Sequence, residues 1–185
     1  IVVMRNNETM SQIALVVGSA FLCILFADGF ADGIIKPLAE RWRPSNDPLM
    51  KYSVQVVDNL RMKDYSFCSA HAANTMSLAV FFSLLIRSRM ITITMVIWSL
   101  VNCWTRLYLG VHYPLDVLTG IVLGGVVGFL VYLFYHRMYR RISPEIKYIS
   151  NQYTSTGYDH DDIDMIMTVV MVVLVYVVIR ALCMM

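Results

Sequence analysis

Charge is scarce in this chain. Asp, Glu, Lys and Arg make up 15% of its 185 residues, against about a quarter in an ordinary soluble domain. The formal net charge of +2 is too small for a nucleic-acid binder, so any basic site must be local. Cysteine is rarer still, at four residues. Cys23, Cys68, Cys103 and Cys183 form no CxxC or Cys/His metal spacing and read as small buried hydrophobes, not as disulfide or zinc partners. The chain shows no internal repeat and no low-complexity segment. It opens on Ile1-Val2-Val3, without an initiator methionine or a signal-peptide pattern, and these residues read as the stump of an earlier membrane helix.

What is abundant is apolar: 58% of the residues are hydrophobic, which excludes disorder. They are bunched into five runs, at 11–35, 69–86, 90–109, 114–135 and 165–185. About 20 residues suffice to cross a hydrocarbon core of roughly 30 Å. Barrel strands would alternate apolar and polar residues, which these runs do not. The expected fold is therefore all-α, a polytopic bundle of transmembrane helices. Residues 1–10 would hold the stump and a cytoplasmic loop, 11–135 the main membrane domain, and 136–164 a cytoplasmic basic and polar linker. Residues 165–185 would add a C-terminal transmembrane helix, in which 165–179 cover about 22 Å and leave Arg180 to snorkel.

Arg5, Arg87, Arg89, Arg137, Arg140, Arg141 and Lys147 all fall on one membrane face, which the positive-inside rule makes cytoplasmic. The opposite face also carries cations, in three clusters. The first runs Lys36-Pro37-Leu38-Ala39-Glu40-Arg41-Trp42-Arg43-Pro44; the second is Cys68-Ser69-Ala70-His71. The third holds Thr105-Arg106, His112 and Asp116. Because the second, third and fourth runs are consecutive, all three clusters emerge at one surface. Lys and Arg there are suited to gripping phosphate oxygens, and His71, in the first turn of a helix, adds free N–H groups that favour an anion. Two imidazoles can divide nucleophilic attack and proton donation between them.

The spacing Lys-x6-Arg-Pro, Ser-x-His and Arg-x5-His-x3-Asp resembles the three-part signature of the type 2 phosphatidic acid phosphatase superfamily, over residues 11 to about 135. In particular it is similar to the membrane lipid phosphatase branch, which includes undecaprenyl-diphosphate and phosphatidylglycerophosphate phosphatases. The resemblance implies that His112 is a nucleophile forming a phosphohistidine and that Asp116 hydrogen-bonds and orients it. It implies that His71 is the general acid, that Lys36, Arg43 and Arg106 bind phosphoryl oxygens, and that Ser69 and the amide of Ala70 assist. It also implies that no metal or cofactor is needed. Three positions depart from the family pattern: Cys68 stands for proline, Ala70 for glycine and Thr105 for serine. Alanine replaces glycine cheaply only where φ is negative. Cys68 reads as a filler of small volume, the alternative being a reactive thiol beside a cationic pocket.

Other residues have plainer readings. Asp28, Asp32 and Lys36 share a helix face, where Asp32 either orients Lys36 or is simply interfacial. Asn74 and Thr75 are expected to bond a neighbouring helix, and Gly120, Gly124 and Gly128 to form a small-residue packing ridge. Arg41 and Trp42 read as an interfacial anchor pair, the alternative being a phosphate contact. His136 and His160 read as surface histidines, and Asp159-His160-Asp161-Asp162 as a solvated turn before a helix, the alternative being a metal site. The expected function is hydrolysis of a lipid phosphate or diphosphate, undecaprenyl diphosphate or a phosphatidate-type lipid, at the outer face of a bacterial inner membrane. The same residues would serve a phosphotransferase. A silent scaffold should have lost a nucleophile or a cation, and none of the six key residues is missing.

Overall fold

The computed structural model describes residues 3, 6, 7, 9–52, 64–142 and 152–183. Ile1, Val2, Arg5, Lys147 and the last two residues of the fifth run lie outside the described residues, as do parts of the 36–68 segment and of the 136–164 linker.

Helix α1 begins at a reciprocal cap. The Thr9 hydroxyl accepts from the Gln12 N–H at 3.3 Å, and the Gln12 side chain accepts from the Thr9 N–H at 3.1 Å, so two orphan donors are satisfied at once. The helix is α over Met10–Phe30, widens to a π turn over Ala31–Ile35 and closes in one α turn, Lys36–Ala39, making one span Met10–Ala39. It ends at Glu40, which is left-handed at φ 44°. The π turn shifts the register of the closing turn, and Lys36 comes out 9% exposed. Helix α2 is Ala70–Ile86, α3 Arg89–Tyr108, α4 Pro114–Ile142 and α5 His160–Cys183.

The first four apolar runs thus each form a helix, the first and fourth extending beyond the expected bounds. Met10–Ala39, Arg89–Tyr108 and Pro114–Ile142 are long and apolar enough to cross a membrane among the described residues, and α2 is a shorter apolar helix. Their outer faces carry Phe21, Leu25, Ile97, Trp104, Val122 and Leu130, all substantially exposed, a belt that only lipid would cover. Helix α5 starts five residues before the expected run. It meets α3 where Thr94 lies 3.5 Å from the Met167 sulfur, and beyond that Val172, Leu174 and Val175 are exposed.

Helix α2 is the hub, packed against α1, α3 and α4. Its closest neighbour is α4, and the reason is the expected ridge of small residues. A Cβ on Gly124 or Gly128 would overlap the backbone oxygen of Ala73 or Ser77, and one on Gly120 would stand 2.5 Å from the Ser69 carbonyl oxygen. Backbones this close need bare Cα atoms along the seam. Two polar residues after His71 knit α2 to its flanks, as expected: Asn74 donates to Asp28 on α1 at 3.0 Å, and the Thr75 hydroxyl pairs with Ser99 on α3 at 3.1 Å.

At the opposite end of the bundle, Thr156 donates to the Ile86 carbonyl at 3.1 Å, docking the turn before α5 on the end of α2. The run 159–162 is not a turn before a helix, since His160, Asp161 and Asp162 form the first turn of α5, and it is not simply solvated. Asp162 is 3% exposed and accepts from the Asn6 amide at 2.7 Å, while the Asn6 oxygen accepts from the Asp159 N–H at 2.8 Å. A carboxylate tolerates this burial because an amide donor meets it.

The seam makes a direct prediction. Gly124→Ala should destabilise the protein by about 1–3 kcal/mol, the usual cost of overpacking, whereas Gly125→Ala, with nothing within 4 Å, should leave stability unchanged or raised. Thermal melting of the two variants in detergent distinguishes them; equal midpoints would contradict the close α2–α4 approach.

Candidate active site

Each of the three clusters is placed at the same end of the bundle by its own local device. Lys36 sits on the last turn of α1, beyond the π segment. Ser69 caps α2, accepting weakly from the Ala72 N–H at 3.5 Å, and donates its own N–H to the Asp116 carbonyl at 3.0 Å. Ala70 is the first helical residue, so the alanine found there carries no strain. His71 follows in the first turn with an exposed ring. Gly110, at φ 67°, breaks α3 in the left-handed conformation that glycine alone enters freely. The chain then turns through His112 to Pro114 at the start of α4.

His112 is 6% exposed. Its Nδ1 lies 2.8 Å from the Ser66 carbonyl oxygen and 3.8 Å from Asp116 Oδ2. The direct hydrogen bond expected between Asp116 and His112 is therefore not made; the carbonyl of Ser66 takes its place. The reason is that the Asp116 carboxylate is already occupied. Oδ1 accepts from Arg41 at 2.9 Å, and Oδ2 accepts from the Ser66 hydroxyl at 2.6 Å and from the Tyr113 N–H at 3.0 Å. The last of these is the back-reach of a third helical residue onto its own cap. Since a carbonyl can only accept, Nδ1 of His112 carries the proton and the Nε2 lone pair is left for chemistry.

The cations differ in how firmly they are held. Arg43, 4% exposed, donates to the carbonyl oxygens of Asp64 at 2.9 Å and Val111 at 3.2 Å, bracing the loops on both sides of His112. Lys36 pairs with Asp32 at 2.6 Å, so Asp32 takes the orienting role. The Arg106 guanidinium makes a long hydrogen bond of 3.4 Å to the Thr105 hydroxyl. The charges of Arg106, His112 and Lys36 all act on His71, and that of Arg43 acts on His112. The expected site residues are thus brought together. An open cavity of about 460 Å³ lies beside them, lined by Asp32, Lys36, Pro37, Asp64 and Tyr65.

Arg41 is not the lipid anchor expected from its pairing with Trp42. Trp42 is 61% exposed, but Arg41 turns inward onto Asp116 and lies over the Tyr113 ring at 4.1 Å. Ser66 is the other residue that sequence reasoning missed. Serine in a loop carries no motif, and its part is played by the main chain as much as by the hydroxyl.

Burial pushes the His112 imidazole below its usual range, and neighbouring Arg43 pushes the same way; Asp116 and the Ser66 carbonyl oppose this only in part. Burial also lowers Arg43, against the pull of Asp64, Asp32 and Asp116. Cys68, 1% exposed, is raised by burial despite nearby Lys36, so its thiol is a filler of volume. His112 can hold a proton on one side and present a lone pair on the other. Among the described residues no group of His, Cys, Asp and Glu has the arrangement to hold a metal ion.

Comparison with known proteins gives consistent matches. The family described as the PAP2 superfamily matches residues 17–140, which includes every site residue named above. A lipid A 4'-phosphatase of Bacteroides thetaiotaomicron is 37% identical over 146 residues, 78% of this chain and 64% of that protein. A lipid A 4'-phosphatase of Porphyromonas gingivalis is 38% identical over 131 residues, 70% of this chain and 55% of that protein. An undecaprenyl-diphosphatase of Bacillus subtilis is 39% identical over 71 residues, 38% of this chain and 36% of that protein. The chain therefore spans less than two thirds of the length of these relatives.

The electrostatics of His112 can be read without any substrate. Its ring should titrate below the ordinary imidazole value of about 6.5, so the neutral form, with a free lone pair, should persist to lower pH. Histidine-selective NMR over about two units on either side of that value should show it; titration above the ordinary value would mean that Asp116 outweighs burial.

Proposed function

The chain belongs to the PAP2 superfamily, and from that premise we propose that it is a membrane phosphatase that releases phosphate from a lipid phosphate through a phosphohistidine at His112. The observation that carries this reading is the contact of His112 Nδ1 with the Ser66 carbonyl oxygen at 2.8 Å. Because a carbonyl only accepts, the contact favours a proton on Nδ1 and leaves Nε2 as the nucleophile among Arg and Lys side chains. In the first step the Nε2–P bond forms as the bond from phosphorus to the lipid oxygen breaks, and His71 gives that oxygen its proton. In the second, water attacks the phosphohistidine, its proton passes to His71, the P–N bond breaks and inorganic phosphate leaves. Lys36, Arg43 and Arg106 hold the phosphoryl oxygens, with the free amides at the start of α2 adding fixed dipoles. No step calls for a metal ion.

The substrate class follows the longer matches. Two relatives named lipid A 4'-phosphatase cover 78% and 70% of this chain, against 38% for the undecaprenyl-diphosphatase. A phosphorylated glycolipid is therefore the first substrate to try, and a prenyl diphosphate the second. A transferase would use the same phosphohistidine and differ only in the acceptor. The reading puts the site at the outer face of a bacterial inner membrane, and what supports it is the gathering of Arg87, Arg89, Arg137, Arg140 and Arg141 at the other end.

Three experiments test this reading. Phosphate release from a lipid phosphate panel in detergent should survive EDTA. His112→Ala should abolish both turnover and acid-labile phosphoenzyme on every substrate. His71→Ala should lose about 10²–10⁴-fold on an alkyl phosphate, the usual worth of a general acid, yet turn over an aryl phosphate with a good leaving group. A phosphoenzyme that persists in His112→Ala and vanishes in His71→Ala would reverse the roles. For orientation, Leu49→Cys, at a position 90% exposed, should be labelled by an impermeant reagent in intact cells lacking other thiols. Ile142→Cys should be labelled only after lysis; the opposite pattern would turn the site to the cytoplasm.

A further inference from the structure

The carboxylate that the family signature places beside the nucleophile does not touch it. Asp116 is fully buried, and its nearer oxygen lies 3.8 Å from His112 Nδ1. Between them stands Ser66, which is also fully buried and is held at three points. Its N–H donates to the Arg41 carbonyl at 2.8 Å, its hydroxyl to Asp116 at 2.6 Å, and its own carbonyl accepts from His112 at 2.8 Å. Arg41 closes the loop: its guanidinium binds the other Asp116 oxygen at 2.9 Å and rests on the Tyr113 ring, whose hydroxyl donates to Asp47 at 2.8 Å.

We propose that Arg41 and Ser66 are positioning residues for the nucleophile, forming with Asp116 a clamp that fixes the Nδ1–H tautomer of His112. The proposal rests on the reading of His112 as the nucleophile and adds to it the route by which Asp116 acts. Arg41 neutralises Asp116 and sets its plane. Asp116 then pins the Ser66 hydroxyl with a short, charge-assisted bond. With its nitrogen and hydroxyl both fixed, Ser66 can point its carbonyl only at Nδ1. Nδ1 stays protonated, Nε2 stays free, and the positive ring of the phosphohistidine is met by a carbonyl in contact and a carboxylate behind it. Arg41 lies in the same nine-residue cluster as Lys36 and Arg43, so one segment would supply both phosphate-binding cations and the brace for the nucleophile. Its guanidinium is committed to Asp116 and is not offered to phosphate.

The test is a double-mutant cycle on the intact chain in detergent, using Ser66→Ala, which removes the hydroxyl and keeps the carbonyl, and Arg41→Gln. Each single variant should lower kcat and the rate of phosphoenzyme formation about 10- to 100-fold, the worth of one hydrogen bond to a charged group, with little change in KM. Together they should cost no more than the worse of the two. Histidine-selective 15N spectra should show His112 purely Nδ1-protonated in the wild type and a tautomer mixture in both variants. A rise in KM with kcat unchanged in Arg41→Gln would make Arg41 a phosphate ligand and overturn the proposal. So would additive losses, or an unaltered tautomer. Should Arg41→Gln fail to fold, Arg41→Lys, which keeps the charge without the planar fork, should show the same kcat loss and tautomer mixture, and wild-type behaviour there would also overturn the proposal. The two readings fail separately. A phosphoenzyme surviving in His112→Ala removes the nucleophile assignment, whereas wild-type kcat in Ser66→Ala, with His112→Ala inactive, removes only the clamp.

Discussion

A fully buried carboxylate, Asp116, is the point on which this structure turns. An ionised group out of water is costly unless charge and hydrogen bonds meet it, and here they come from three segments distant in sequence. Arg41 arrives from beyond α1, Ser66 from the loop before α2, and Tyr113 from the cap of α4. The demand of one carboxylate therefore gathers the strands of chain that carry all three clusters. The same residue serves its helix as an ordinary capping group. Satisfying Asp116 and building the site are a single structural event, and breaking one contact leaves a buried charge without its partner.

The seam between α2 and α4 sets the remaining geometry. Ser69, Ala73 and Ser77 present backbone oxygens to Gly120, Gly124 and Gly128, so the start of α2 is held directly against the first turns of α4. That contact is reinforced by the Ser69 N–H on the Asp116 carbonyl. His71 and His112 thereby hang from two helices whose relative height cannot slide without backbone collision. In a membrane, where helices gain little from hydrophobic association, such close packing is a principal source of rigidity. The site inherits its precision from glycine.

Much of this was legible in the sequence, and what was not has a common cause. Apolar runs announce membrane helices because the bilayer imposes a length and forbids open backbone. The packing ridge was visible as three glycines at a spacing of four, and Asn74 and Thr75 as polar residues that must find partners across helices. Lys36, His71, Arg106 and His112 could be gathered because consecutive spans return to the same face. Arg41 and Ser66 could not, since a charge next to an exposed tryptophan looks interfacial and a loop serine looks like nothing. Their roles depend on contacts across 75 and 50 residues of chain. The π turn at Ala31–Ile35 was equally hidden, because Ala-Asp-Gly-Ile-Ile has no local reason to widen a helix. The expected Asp116–His112 bond failed for a related reason: spacing fixes which residues are near, not which of several donors a carboxylate takes.

The charges of the site are arranged in two layers, and the arrangement bears on how it could favour a transition state over a ground state. Behind His112 lie Asp116 and Arg41, already paired, whose field is fixed before any substrate would enter. In front lie cations in graded states of commitment. Arg43 is locked by two carbonyls, so its remaining donors are preorganised and cost little reorganisation when charge develops on phosphorus. Lys36 is shared with Asp32, so under the proposed function an arriving phosphate would compete with a resident carboxylate, and ground-state binding would be weaker for it. Among the described residues the Arg106 side chain is held by a long hydrogen bond to Thr105, so under the proposed function it would have the most freedom to follow the phosphoryl group. Of the three, a fixed donor best serves the transition state, and a contested one restrains unproductive binding of product phosphate. Arg43 is therefore the cation whose loss should fall on turnover, because its position alone is set by the same loops that hold His112.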